Sequence, residues 1–262
     1  MNVQKVNTHI VNWLKDYAQQ AHVNGFVIGI SGGIDSAVTA SLCAQTGMEV
    51  LLLEMPIHQS ERQVNRGREL IKKLQDDYPG VRAQEIDLTQ TFETFIKAVH
   101  KTDNADKVAL AQANTRARLR MTTLYYYAGL HGLLVAGTGN KVEDFGVGFF
   151  TKYGDGGVDL SPIADLMKSD VYALAKYLNI PQSIQEAAPT DGLFGDNRTD
   201  EDQIGASYDE LEWAMNYIAA NKTENTLTER ELFVLELYKK RHRQNLHKMI
   251  PIPVCEIPES YK

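Results

Sequence analysis

Three observations predict an open α/β fold, Rossmann-like, with a mostly parallel sheet and helices on both faces. Strand-like and helix-like segments alternate through the first half of the chain, polar or glycine-bearing segments follow three of the strands, and the first of these segments joins a strand directly to a helix. The chain opens with Val6, Ile10, Trp13, Leu14, Tyr17 and Ala21 at helical spacing, so residues 2–22 are expected as an amphipathic helix that Asn24-Gly25 ends. The apolar run 26–30 reads as a strand, followed by a helix from near Asp35 to 46, a strand over 50–55 and a helix over 60–75. A strand over 81–87, helices over 89–100 and 108–131, and a strand over 133–138 continue the alternation.

The glycine-rich stretch 139–157 reads as a binding loop whose order depends on ligand. Ser169-Asp170 starts a helix to about 178, which Asn179-Ile180-Pro181 stops, and the polar passage 186–205 has the character of a lid. Helices over 207–221 and 229–244 precede a proline-bearing tail expected to be extended. Residues 1–262 are expected to form a single domain.

The run Ser31-Gly32-Gly33-Ile34-Asp35-Ser36 is the most informative segment. Adjacent glycines permit positive φ and turn backbone N–H groups toward one point, where a helix N-terminus adds its positive end. Such a cradle suits pyrophosphate. An acid inside it would repel phosphate unless it holds a bridging cation, which makes magnesium the expected partner of Asp35. No Gly-Lys-Ser/Thr follows, which excludes a P-loop, and the glycines at 29, 32 and 33 do not fit the dinucleotide fingerprint.

Composition narrows the functional classes. A net charge of −7 over 262 residues opposes a general nucleic-acid binder, whose surface needs clustered Lys and Arg. No window approaches the roughly 18 apolar residues of a membrane span, and no secretory pattern opens the chain, so a cytoplasmic protein is expected. Two distant cysteines, Cys43 and Cys255, make zinc and disulfide frameworks unlike this sequence.

Several segments then agree. Residues 29–36, Ala117-Arg118-Leu119-Arg120-Met121, Gly137-Thr138, Phe149-Phe150-Thr151-Lys152-Tyr153-Gly154-Asp155-Gly156-Gly157 and Ala188-Pro189-Thr190 together resemble the ammonia-dependent NAD synthetases, in order and over nearly the whole chain. The first motif alone specifies only the wider group of ATP pyrophosphatases, which includes GMP synthetase and several RNA-modifying enzymes. The segment 149–157 discriminates. The resemblance implies an adenine nucleotide alpha hydrolase-like fold, a homodimer, and a reaction in which the carboxylate of deamido-NAD is adenylated by ATP and the adenylate is opened by ammonia.

It also implies roles for individual residues. Gly29, Ile30, Ser31, Gly32, Gly33, Ile34, Asp35, Ser36, Thr138, Lys168 and Thr190 would contact ATP, the co-substrate. Asp35 and Glu143 would hold Mg²⁺. Arg118, Lys152, Asp159, His247 and Lys248 would bind deamido-NAD, the last two from a neighbouring subunit, and Asp155 would serve the ammonia side as proton acceptor. An RNA-adenylating enzyme and an ATP-sensing module are the rival readings; the acidic chain opposes the first and the paired carboxylates oppose the second. No glutaminase domain is expected, because the chain has no room for one and no suitably placed nucleophilic cysteine.

Overall fold

The computed structural model describes residues 1–190, 199–221 and 227–262. Helix α1 (Val3–Gln20) begins where the Asn2 side chain accepts from the Lys5 N–H at 3.0 Å, and it buries Ile10, Leu14 and Ala18. Strand β1 (Gly25–Ile30), α2 (Ile34–Gln45), β2 (Glu49–Glu54), α3 (Glu61–Asp77), β3 (Val81–Glu85), α4 (Thr89–Ala98), α5 (Ala105–His131) and β4 (Leu133–Val135) follow in chain order. All four strands are parallel, in the order β3-β2-β1-β4. The chain therefore steps outward from β1 through β2 to β3, then returns to the other side of β1. The reversal opens a crevice between the carboxyl ends of β1 and β4, where a doubly wound sheet binds its ligands.

Period-2 alternation assigns the two faces of β1. Phe26, Ile28 and Ile30 pack with α1, α2, α3 and the later helix α6 (Lys168–Tyr177), whereas Val27 packs with α4 and α5. Phe26, Ile28, Leu14 and Leu42 are fully enclosed, each stabilising the fold by about 1.5–3 kcal/mol. Helix α2 is buried nearly all round, which explains its small residues Ala37, Ala40, Ser41 and Ala44. Gly132, with φ +65°, ends α5 in a left-handed turn, and Asn24 ties that end to β1 by donating to the His131 carbonyl at 3.0 Å.

Beyond β4 the structure departs from the expected loop. Residues Lys141–Val147 form a turn of π-helix, capped by Asn140 and packed against α9 (Tyr208–Ala219) and α10 (Glu229–Met249), which follow the short helices α7 (Gln182–Gln185) and α8 (Asp200–Ile204). Val142, Val147, Tyr208, Leu211, Val234 and Tyr238 make this a third apolar cluster, in which part of the stretch 139–157 packs against the C-terminal helices. Of the expected lid, residues 191–198 lie outside the described residues, while Asp200–Ile204 is helical with a Thr199 cap. Strand β4 stops at Val135, three residues before the expected end, because only Ala136 goes on to bridge Leu160. Helix α10 runs on to Met249, so it carries His247 and Lys248, which the sequence placed in a tail.

Candidate active site

The signature loop leaves β1 at Ile30 and enters α2 at Ile34. It is fixed largely by its own side chains: the Ser31 and Ser36 hydroxyls lie 3.0 Å apart, the Ser36 hydroxyl donates to the Gly33 carbonyl at 3.0 Å, and the Ser31 Oγ accepts from the Gly33 N–H at 3.2 Å. Helix α3 clamps it from outside. The Arg66 Nε donates to the Gly32 carbonyl at 3.1 Å, and a Cβ at residue 32 would come within 2.4 Å of the Gln63 carbonyl oxygen. Gly32 also takes φ +76°, so glycine is required there both by conformation and by space.

Asp35, in the first turn of α2, faces a compact charge cluster. The Lys168 ammonium, at the start of α6 and only 3% exposed, donates to Asp35 Oδ2 at 2.6 Å and to Glu143 Oε1 at 2.9 Å. Asn140 joins the two carboxylate segments: its Nδ2 donates to Asp35 Oδ1 at 3.2 Å, and its Oδ1 accepts from the Val142 and Glu143 N–H groups, both at 3.1 Å. The Tyr208 hydroxyl donates to Glu143 Oε1 at 2.5 Å and lies 3.2 Å from Asp200 Oδ2, and its ring lies 4.6 Å from the Lys168 ammonium.

These neighbours set the protonation states. Burial works to discharge Lys168, but Asp35 and Glu143 outweigh it and hold the ammonium charged well above the ordinary lysine range. Burial likewise opposes ionisation of Glu143; Lys168 and the Tyr208 hydroxyl overcome it, and the carboxyl is held below its usual value. Asp35 moves upward, because burial and the nearby Glu143 exceed the attraction of Lys168. Burial and Glu143 keep the Tyr208 phenol protonated.

Two carboxylates that already share one cation form a donor set suited to Mg²⁺, which takes one or two protein carboxylates and completes its shell with waters and phosphate oxygens. Among the described residues, no three His, Cys, Asp or Glu side chains are grouped so as to hold a metal ion.

A cavity of about 270 Å³ joins these elements. Its lining includes Gly29, Ile30, Ser31, Gly33, Ile34, Asp35, Ser36, Thr138, Glu143, Asp155, Lys168 and Thr190, which brings together every sequence-predicted ATP, metal and catalytic residue except Gly32. Asp155 Oδ1 accepts the Thr151 N–H at 3.0 Å, and burial pushes its pKa up to about 6.

The five residues assigned to a second substrate lie outside that lining. Arg118 donates from Nε and Nη2 to the Lys152 carbonyl at 3.4 and 3.3 Å, the Lys152 ammonium donates to the His247 carbonyl at 2.6 Å, and the Lys248 ammonium donates to the Gly148 and Phe150 carbonyls, both at 2.7 Å. His247 and Lys248 thus meet the 148–152 segment of their own chain. Asp159 stands apart from this group, accepting from the Tyr125 hydroxyl at 3.0 Å and the Val135 N–H at 2.8 Å.

Sequence reasoning assigned no role to Asn140, Tyr208, Asp200 or Asp144, which lines the cavity, and quoted Arg120 only as part of a motif. Arg120 also lines the cavity and donates to the Met55 carbonyl at 3.0 Å. Its place in the glycine-bearing loop beyond β4 could have signalled Asn140. Nothing local marks Tyr208, which reaches Glu143 across 65 positions.

Comparison with known proteins agrees with this geometry. The sequence profile of the NAD synthase family matches residues 6–251. The NH(3)-dependent NAD(+) synthetase of Mycoplasma genitalium is 40% identical over 247 residues, covering 93% of this chain and 94% of that protein. The synthetase of the same name from Finegoldia magna is 37% identical, with 95% and 94% covered. Among solved structures, an NMN synthetase from Francisella tularensis superposes with a TM-score of 0.83 at 32% identity, covering 99% of each chain. An NH3-dependent NAD synthetase from Campylobacter jejuni, in complex with nitrate, gives 0.78 at 29% identity, covering 98% of this chain and 100% of its own. With matches of this extent over a parallel sheet and a phosphate-type crevice, the chain belongs to the NAD synthase family.

Proposed function

We propose that this chain catalyses the ATP-dependent amidation of deamido-NAD by ammonia, giving NAD, AMP and pyrophosphate, the final step of NAD biosynthesis. The observation that carries the reading is the Asp35–Lys168–Glu143 cluster standing beside the serine- and glycine-built loop at the sheet's switch point.

The chemistry follows from what must be overcome. A carboxylate is a poor acyl donor, and its approach to a triphosphate brings anions together, so positive charge must be in place before the reaction. Mg²⁺, held by Asp35 and Glu143, would neutralise phosphate charge when bound with ATP. The signature loop, with Ser31, Gly32, Gly33 and Ser36, would receive the pyrophosphate that leaves when a carboxylate oxygen of deamido-NAD bonds to the α-phosphorus. Lys168 would follow the charge that builds on the α-phosphate, with Thr138 and Thr190 contacting ATP. Ammonia would then attack the carbonyl carbon of the mixed anhydride and displace AMP. Asp155, poised near pH 6, would bind ammonium and take the proton it must lose. Arg118, Lys152, Asp159, His247 and Lys248 would hold deamido-NAD.

Ammonia is the nitrogen source in this reading, and glutamine should replace it poorly: Cys43 is buried in α2 with its thiol pushed up by burial, and Cys255 lies exposed near the end of the chain. A homodimer is part of the proposal, supported by the exposed apolar side chains of Tyr126 and Leu130 on α5 and Phe95 on α4. So is a cytoplasmic setting; no helix among the described residues is long and apolar enough to cross a membrane.

Incubation with Mg-ATP, ammonium and deamido-NAD tests the reading. NAD and AMP should appear in equal amounts, and absence of AMP would overturn it. Nicotinate mononucleotide offered in place of deamido-NAD should be amidated less efficiently; the reverse preference would shift the substrate toward that of a mononucleotide synthetase.

A further inference from the structure

We propose that Tyr208 is a positioning residue through which the C-terminal helices set the geometry of Glu143 and Lys168. The inference rests on the reading of Glu143 as a metal ligand. Tyr208 is the first residue of α9, 6% exposed, and it packs within the apolar cluster of Val142, Val147, Leu211, Val234 and Tyr238. From that anchored position it makes three polar contacts in the reaction crevice. Its hydroxyl donates to Glu143 Oε1 at 2.5 Å and reaches Asp200 Oδ2 at 3.2 Å, while its ring lies 4.6 Å from the Lys168 ammonium.

Each contact constrains a different group. The hydroxyl fixes the rotation of the Glu143 carboxylate on a π-helical turn, a backbone form frequent at functional sites. The electron-rich ring face gives Lys168 a cation-stabilising surface at one side that does not compete with phosphate. Both carboxylates that Lys168 contacts are the ones that would hold the metal, and the ring would keep the ammonium in place while they do so. Tyr208 touches neither nucleotide nor metal in this account. It acts through Glu143 and Lys168.

The experiment is a binding titration of Mn²⁺ with α,β-methylene-ATP, followed by the paramagnetic signal of free Mn²⁺, alongside the Mg²⁺ dependence of turnover. Tyr208→Phe keeps the ring and removes the hydroxyl; it should weaken Mn²⁺ binding by about tenfold or more, as loss of a hydrogen bond to a metal ligand does elsewhere, and raise the Mg²⁺ needed for half-maximal rate in step. Tyr208→Leu should add a loss in kcat, because Lys168 is then unsupported. In a Glu143→Gln background the Phe change should cost nothing further. Unchanged Mn²⁺ affinity in Tyr208→Phe, or a full tenfold loss that persists with Glu143→Gln, overturns the proposal. If Asp35→Asn leaves Mn²⁺ binding intact, the metal site itself has been misread and this inference falls with it, a result distinct from a failure of Tyr208 alone.

Discussion

The proposed site has two halves built in different ways, the cavity itself and a group of residues outside its lining. The half proposed for phosphate grows from the sheet: the signature loop continues β1, Asp35 lies in the first turn of α2, and Lys168 begins α6, so regular elements position each group and opposite charges meet. The other half is a set of side chains that cap backbone carbonyls, with Arg118 on Lys152, Lys152 on His247, and Lys248 on Gly148 and Phe150. Those contacts are weaker commitments, since a ligand phosphate or carboxylate is a better partner for a cation than a peptide carbonyl. A preorganised half can lower a barrier, whereas a half that exchanges internal contacts for substrate contacts mainly sets affinity.

Substitutions in the two halves should therefore separate kcat from KM. The largest effect belongs to Asp35→Asn, which removes one charge of the paired carboxylates and should lower kcat by about 100-fold or more while weakening Mg-ATP binding, checked by steady-state kinetics at saturating deamido-NAD. A variant with near-normal turnover would place the metal elsewhere.

Asp155→Asn should lower kcat by about 100-fold, and its pH behaviour is more telling than the loss itself. Burial raises the Asp155 pKa to about 6, so wild-type kcat should fall as pH drops through that value. Stability runs the other way. The folded carboxyl holds its proton more tightly than the unfolded one, so the wild type loses stability as pH rises from about 4 through about 6. Asn at this position should be more stable by about 3 kcal/mol above pH 6 and equal to wild type below pH 4, read from denaturant unfolding at both pH values.

Gly32→Ala tests the clamp by α3. With φ +76° and a Cβ 2.4 Å from the Gln63 carbonyl, the loop must shift, and stability should fall by about 1–3 kcal/mol, with weaker ATP binding measured by calorimetry. The smallest effect is expected in the outer half: Arg118→Ala should raise the KM for deamido-NAD by about tenfold and leave kcat within about twofold. A loss confined to kcat would erase the distinction between the halves.

How much the sequence disclosed follows the same division. Parallel strands, the signature loop and Asp35 were legible because period, glycine placement and an acid beside a helix start are local signals. The π-helical turn within 139–157 was not, because it packs against α9 and α10, some 60 to 100 positions away. The same distance hid Tyr208. Helix α10 likewise continues past the expected end at 244 to Met249, although Pro251, two residues further on, was a local signal for that end.

The central claim is that this crevice joins a carboxylate to the α-phosphorus of ATP. Deamido-NAD carrying ¹⁸O in its nicotinic acid carboxylate, turned over with Mg-ATP and ammonium, tests it most directly by mass spectrometry of the products. One labelled oxygen should be found in the phosphate of each AMP formed, alongside unlabelled pyrophosphate. Label absent from AMP, or ADP and inorganic phosphate in its place, would contradict the account.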